Sequence, residues 1–195
     1  MKIHTLVLGE LDTNCYLVEG DDGHAVVIDP AARGEEIARR LEENGLTLDA
    51  VLLTHAHFDH LGGLKELCRL TGAPVYLHAA DRAIVDVMSR GRMTEDPLPY
   101  PAAVEAAGLV FQVLHTPGHS PGSVCLLAGN VLFSGDTLFA GTCGRTDLPG
   151  GSEEEMLRSL RRLASLSENY DVLPGHGPPS TLSWEGKTNP CLRGA

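Results

Sequence analysis

Thr54-His55-Ala56-His57-Phe58-Asp59-His60 follows directly on the apolar run Ala50-Val51-Leu52-Leu53. An apolar strand that empties into such a segment delivers three imidazoles and one carboxylate to one end of a sheet. Imidazole nitrogen and carboxylate oxygen suit Zn, Fe or Mn at a catalytic site. His55 and His57 are two residues apart, so in extended chain they point the same way. Asp59 and His60 follow at a turn and address a second point nearby. The segment therefore reads as a site for two metals. A lone His-x-His pair would carry far less weight.

Working outward, three later segments repeat the pattern of a strand followed by a ligand candidate beside glycine. Thr116-Pro117-Gly118-His119-Ser120 sets a histidine in a turn between two apolar runs. Ser134-Gly135-Asp136-Thr137 follows Asn130-Val131-Leu132-Phe133, and Leu173-Pro174-Gly175-His176-Gly177 comes near the end. Glycine lets backbone approach a site closely. Asp29 and Thr54 are candidate partners for the outer N–H groups of the histidines, since ligating imidazoles usually donate their second N–H to an oxygen.

This series resembles the metallo-β-lactamase superfamily, and within it a small glyoxalase II-type hydrolase. The resemblance spans nearly all 195 residues. It implies an α+β fold, a four-layer αββα sandwich with two mixed sheets face to face, in one domain covering 1–195. It also implies that His55, His57 and His119 bind one divalent metal, that Asp59, His60 and His176 bind a second, and that Asp136 bridges them. Asp59 and Asp136 are then the catalytic carboxylates. Zn is the first expectation for the metal, with Fe or Mn also suited to the ligand set. A hydroxide held between the cations would be the nucleophile, since a bound cation lowers the pKa of water from 15.7 toward about 7. Many β-lactam-hydrolysing relatives carry Cys where Asp136 stands and most lack the histidine after Asp59. The full set here points instead to acyl thioesters such as S-D-lactoylglutathione. Larger glyoxalase II enzymes hold glutathione with a C-terminal helical domain. About twenty residues follow His176 here, so the thiol carrier stays open. Gly144-Arg145-Thr146-Asp147 also resembles the persulfide dioxygenases, which use one iron held by residues matching His55, His119 or its neighbouring ligands, and Asp136. A binding protein that kept the fold without catalysis is the third possibility.

The formal charge of −11, with no basic stripe, argues against a polyanionic nucleic-acid partner. Arg90 and Arg92, Arg145, and Lys187 with Arg193 remain as short basic clusters that suit a small anionic substrate. Arg145 is the strongest candidate, lying in a Gly-rich loop nine residues after Asp136. Its other possible role is a tie to Asp147. No run approaches the roughly 20 apolar residues of a membrane span, and Met1-Lys2-Ile3-His4-Thr5 lacks the features of a signal peptide. The expected compartment is the cytoplasm. Cys15, Cys68, Cys125, Cys143 and Cys191 are odd in number, with no Cys-x-x-Cys pair, and are expected to stay reduced. Oligomeric state is left open by the sequence.

Alternation predicts strands near 2–8, 13–19, 24–29, 49–53, 74–77, 109–114, 122–128, 130–134 and 170–173. Amphipathic spacing predicts helices over 34–44, 61–70, 79–89 and 152–165, the last opened by a Ser152/Glu155 capping box. The proline-rich stretch 90–101 reads as a loop bordering the site. His4 and His24 are expected at the solvent-exposed surface, His78 in a structural role, and His115 in a packing or turn role, with support of the His119 turn as its alternative.

Overall fold

The structure, a computed structural model, describes residues 1–93 and 95–193; Thr94, inside the expected 90–101 loop, lies outside the described residues, as do Gly194 and Ala195. The first sheet runs β1 (Lys2–Leu8), β2 (Thr13–Glu19), β3 (His24–Ile28), β4 (Thr47–Leu52), β5 (Val75–Leu77) and β6 (Leu98–Pro99), in that order across the sheet. From β3 onward its strands are parallel. The crossovers from β3 to β4 and from β4 to β5 are α1 (Gly34–Glu43) and α2 (Leu64–Thr71), as parallel neighbours require. The remaining strands are β7 (Ala103–Ala106), β8 (Leu109–His115), β9 (Val124–Ala128), β10 (Val131–Gly135), β11 (Leu138–Phe139), β12 (Thr142–Cys143), β13 (Asp171–Pro174) and β14 (Ser180–Thr181). The second sheet has the order β14-β13-β10-β9-β8-β7, while β11 and β12 form a small separate hairpin. Beyond α3 (Ala79–Arg82) and α4 (Val85–Met88), the helices are α5 (Glu153–Ala164), α6 (Leu182–Thr188) and α7 (Pro190–Arg193).

Alternation along the strands builds the layers. Val26 and Ile28 of β3 meet Leu126 and Phe133 of the second sheet in the core between the sheets. Ala25 and Val27 face the other way, onto Ile37 and Leu41 of α1 and Leu64 and Leu67 of α2. Behind the second sheet, Cys125, Leu127 and Leu132 pack on Met156, Leu160 and Leu163 of α5. Because both faces of β3, β9 and β10 are covered, these strands are buried along nearly their whole length, and their sequences read as continuous apolar runs. The αββα sandwich implied by the resemblance is what the chain forms.

Several elements differ from expectation. The helix expected over 61–70 begins only at Leu64. Gly63 N–H donates to the Pro30 carbonyl at 2.8 Å, holding 61–63 as a turn. The helix expected over 79–89 is two short ones, α3 and α4, parted at Ala83 and Ile84. Ser152 does cap α5, its hydroxyl accepting from Glu155 N–H at 3.3 Å. Its own N–H donates to the Gly118 carbonyl at 2.8 Å, so the reciprocal half of the capping box is replaced by a tertiary bond. His4 and His24 are half-buried rather than free at the surface, bonded to Glu19 at 2.5 Å and Asp49 at 2.6 Å. His78 and His115 stack with centroids 4.0 Å apart, in keeping with packing roles.

Candidate metal centre

Four strand ends converge on one edge of the sandwich. The segment after β4 carries His55 and His57 and then folds into a 3₁₀ turn over Phe58–His60. The loop after β8 brings His119, the end of β10 brings Asp136, and the end of β13 brings His176. The two sheets are joined here by Val124 N–H donating to the Thr54 carbonyl at 2.9 Å.

All seven residues singled out in the sequence as metal ligands meet at this edge. Their ligand atoms form three overlapping groups, each within 4.8 Å: His55, His57 and His119; His55, His60 and Asp136; and Asp59, His60 and His176. Asp136 reaches across them. Its Oδ1 lies 3.4 Å from His60 Nε2, and its Oδ2 lies 3.3 Å from His119 Nε2 and 3.6 Å from His176 Nε2. Asp59 Oδ2 lies 3.2 Å from His176 Nε2.

The outer hydrogen bonds fix the histidine tautomers. His60 Nδ1 donates to Asp29 at 2.9 Å, His119 Nδ1 to the Arg145 carbonyl at 2.7 Å, and His176 Nδ1 to the Leu11 carbonyl at 3.0 Å. Thr54 Oγ1 gives its own proton to Asp29 at 2.6 Å, so at 3.0 Å it accepts from His55 Nδ1. Each of these four rings therefore turns a lone pair on Nε2 toward the centre. His57 faces inward through Nδ1, which lies 2.7 Å from His119 Nε2. His55 Nε2, His60 Nε2 and Asp136 Oδ1 are buried with no hydrogen-bond partner among the described residues. Orphaned buried acceptors aimed at one point, with their outer N–H groups tied to oxygens, are what a metal-ligating donor set requires. The residues present fit a divalent cation of the Zn, Fe or Mn type.

Charge follows the same logic. Burial, reinforced by the neighbouring imidazoles, pushes His55 well below its usual 6.5 and His57 to about 4, leaving both neutral. Burial would lower His60 too, but Asp29 and Asp136 outweigh it and raise it well above 6.5; this point of the cluster attracts positive charge. Burial would raise Asp136, yet the charges of His60, His119 and His176 hold it below its usual value.

Gly175 belongs to the geometry. A Cβ there would lie 2.2 Å from Asp136 Oδ1 and 2.9 Å from His60 Cε1. Support also comes from residues the sequence did not point to. Asn14 on β2 donates to the carbonyls of Pro174 and Gly177, both at 2.9 Å, and Thr13 Oγ1 donates to Asp59 at 3.3 Å. A polar Thr-Asn pair entering a buried strand was the available signal.

A cavity of about 690 Å³ opens over the cluster, lined among others by Phe58, Met88, Arg90, Phe139, Arg145 and Leu148. Arg145 is thus at the cavity, but its Nε and Nη2 also grip the Asp147 carboxylate at 2.6 and 2.7 Å. Both roles weighed for it are geometrically available. Arg90 lies over the Phe58 ring at 3.9 Å, while Lys187 and Arg193 sit on α6 and α7, outside the lining. Cys143 lines the cavity, but burial and then its hydrogen bond with the free thiol of Cys191 push its thiol up to about 12, so it stays protonated.

A strand-end cluster of this donor set on an αββα sandwich defines a class, and comparison with known proteins agrees with it. The chain belongs to the metallo-beta-lactamase superfamily, whose family model matches residues 8–85 and 102–176. Probable metallo-hydrolase YqgX of Bacillus subtilis (strain 168) is 38% identical, covering 100% of this chain and 99% of that protein. Hydroxyacylglutathione hydrolase GloC of Haemophilus influenzae is 31% identical over 98% of both. Among solved structures, BLEG-1 B3 metallo-beta-lactamase aligns with a TM-score of 0.89 and 37% identity, covering 98% of this chain and 99% of that one. TTHA1623 in a di-iron-bound form gives 0.86 and 41%, covering 96% and 98%. ETHE1 from Myxococcus xanthus gives 0.82 and 31%, covering 100% and 85%. No helix among the described residues is long and apolar enough to cross a membrane.

Proposed function

We propose that this chain is a dinuclear metal-dependent hydrolase of acyl thioesters, with S-D-lactoylglutathione or a related acyl thiol as the substrate class. The observation that carries the reading is the seven-residue cluster, with its lone pairs turned inward and Asp136 within reach of both groups. His55, His57 and His119 would hold one cation, Asp59, His60 and His176 the second, and Asp136 both. Bound there, the cations supply an activated water and a Lewis acid for the thioester oxygen. The protein's own part is to aim five imidazoles at the centre, with His55 and His57 kept neutral by burial, to hold Asp59 and Asp136 ionised, and to seat the substrate. The apolar lining at Phe58, Met88, Phe139 and Leu148 accommodates an acyl or thiol chain, and Arg145 offers a guanidinium to a substrate carboxylate. The likeness to GloC supports the thioester, and the likeness to the di-iron form of TTHA1623 supports two metals of which iron is one option. We place the enzyme in the cytoplasm, acting on small molecules rather than nucleic acid.

One specific observation favours a second reading. The likeness to ETHE1 accompanies the Gly144-Arg145-Thr146-Asp147 segment that prompted the mononuclear-iron persulfide dioxygenase alternative. Elemental analysis of the isolated protein, joined to a substrate panel, separates the two. Two metals per chain with thioester turnover supports the hydrolase. One iron with oxygen uptake and sulfite formation from glutathione persulfide supports the dioxygenase. A β-lactam belongs in the panel because of the BLEG-1 likeness. Metal-loaded protein that cleaves no acyl thioester overturns the leading proposal.

A further inference from the structure

Asp81 is a wholly buried carboxylate on α3, outside the seven-residue cluster. Its hydrogen bonds go to the two loops that carry the three-histidine group. Oδ2 accepts from Ala56 N–H at 3.0 Å, the peptide between His55 and His57. The same oxygen accepts from Ser120 Oγ at 2.9 Å, and Oδ1 accepts from Gly122 N–H at 2.5 Å. Ser120 follows His119 directly, and its hydroxyl is also paired with Ser123 Oγ at 2.7 Å. A Cβ on Gly122 would fall 2.6 Å from the Asp81 backbone nitrogen and 2.8 Å from its Cγ, so glycine is what lets this loop close on the carboxylate. One loop comes from the first sheet and the other from the second. The Asp81 carboxylate bonds both.

We infer that Asp81 is a positioning residue that fixes the separation of the His55–His57 loop from the His119 loop, and thereby the affinity of the three-histidine group for its metal. It does not touch that metal. Its effect is confined to one side of the centre, because the partners of His60 and His176 are Asp29 and the Leu11 carbonyl. In Asp81→Asn the shape is kept, but either orientation of the amide turns an NH₂ toward donors that need an acceptor.

The experiment is a two-step zinc titration against a chromophoric chelator, on wild-type and Asp81→Asn protein, with the steps assigned by His57→Ala and His176→Ala references. The melting temperature of metal-free protein is recorded alongside. The expected result is a 10- to 100-fold loss of affinity at the three-histidine step, with the other step within about threefold of wild type. A lowered metal-free melting temperature with both steps unchanged overturns the inference and leaves Asp81 a purely structural residue. Should Asp81→Asn not fold, Ser120→Ala carries the test, since it deletes one donor and leaves the carboxylate. A selective loss of threefold or more at the three-histidine step supports the inference, and unchanged affinity overturns it. The inference rests on the cluster being a metal centre: wild-type protein that bound no metal would defeat that premise, whereas two bound metals with an unaffected variant would defeat only the role of Asp81.

Discussion

Gly175→Ala is the sharpest perturbation the centre offers. Nothing about the backbone there forbids alanine, so the change tests space alone. The added Cβ would lie 2.2 Å from Asp136 Oδ1, where real contacts stay above 3.0 Å. That oxygen is buried at the centre. Either the carboxylate rotates away from the centre or the end of β13 retreats, carrying His176 with it. A misplacement of roughly 1 Å at a reacting centre costs about 10²-fold in rate. Overpacking a buried site costs about 1–3 kcal/mol, which for a chain of this size lowers Tm by roughly 2–12 °C. We therefore expect kcat/KM for an acyl thioester to fall about 100-fold, metal content to drop below that of wild type, and metal-free Tm to fall within that range. Gly129→Ala is the control. Gly129 has a φ of +57° with nothing within 4 Å, in the turn between β9 and β10. It should lose about 1–2 kcal/mol of stability from left-handed strain and keep its metals and rate. Gly175→Ala protein with wild-type metal content and kcat/KM would refute the claim that Asp136 is held by a close backbone.

Arg145→Ala should raise KM for an anionic thioester about tenfold, a loss of about 1.4 kcal/mol, with two metals still bound; steady-state kinetics with a lower Tm and unchanged KM would assign it instead to the Asp147 tie. Asp29→Ala removes the acceptor for Thr54 N–H, Thr54 Oγ1 and His60 Nδ1. It should cost about 3–5 kcal/mol in urea unfolding and weaken the metal held with His60 by about 10- to 100-fold; wild-type affinity would show that His60 needs no outer partner. Asp49 titrates below its usual 3.8, because its bonds to His24 and Ala107 N–H outweigh the opposing effect of burial. A carboxylate depressed in the folded state contributes fully above its ordinary value, and the contribution is lost as pH falls through the folded value. Asp49→Asn should thus flatten the acid limb of stability below about pH 4, and an identical limb in unfolding curves at pH 5 and pH 3 would count against the pair.

The site was far more legible than its supports. The candidate ligands announce themselves because few other roles place His-x-His-x-Asp-His after an apolar strand, and Thr54 and Asp29 follow from the need of an imidazole for an outer acceptor. Asp81 gave no such sign. An aspartate in Ala79-Ala80-Asp81-Arg82 looks like an ordinary exposed helix residue, and only tertiary packing buries it. In the fold, β-branched and aromatic runs marked the central strands well. β7 was missed because Ala103-Val104-Glu105-Ala106 is alanine-rich, and its hairpin closes through Ala107 and Gly108 at φ of 55° and 68° rather than through an Asn-Gly pair. β6 hid in the proline-rich stretch because proline is tolerated at a sheet edge, where Leu98 pairs with Tyr76. The helix expected over 79–89 is parted at Ala83 and Ile84, between a turn that buries Asp81 and a turn that buries Met88.

The candidate ligand set is divided between the sheets: His55, His57, Asp59 and His60 follow β4, whereas His119, Asp136 and His176 follow strands of the other sheet. A cation that needs donors from both can be held only while the sheets are docked face to face. Binding is then coupled thermodynamically to formation of the interior between them, and each metal at a free concentration of one hundred times its Kd adds about 2.7 kcal/mol to the folded state. The metals would act as rivets as well as reagents, so the supply of zinc or iron would set how long the chain survives proteolysis before it sets how fast the enzyme turns over.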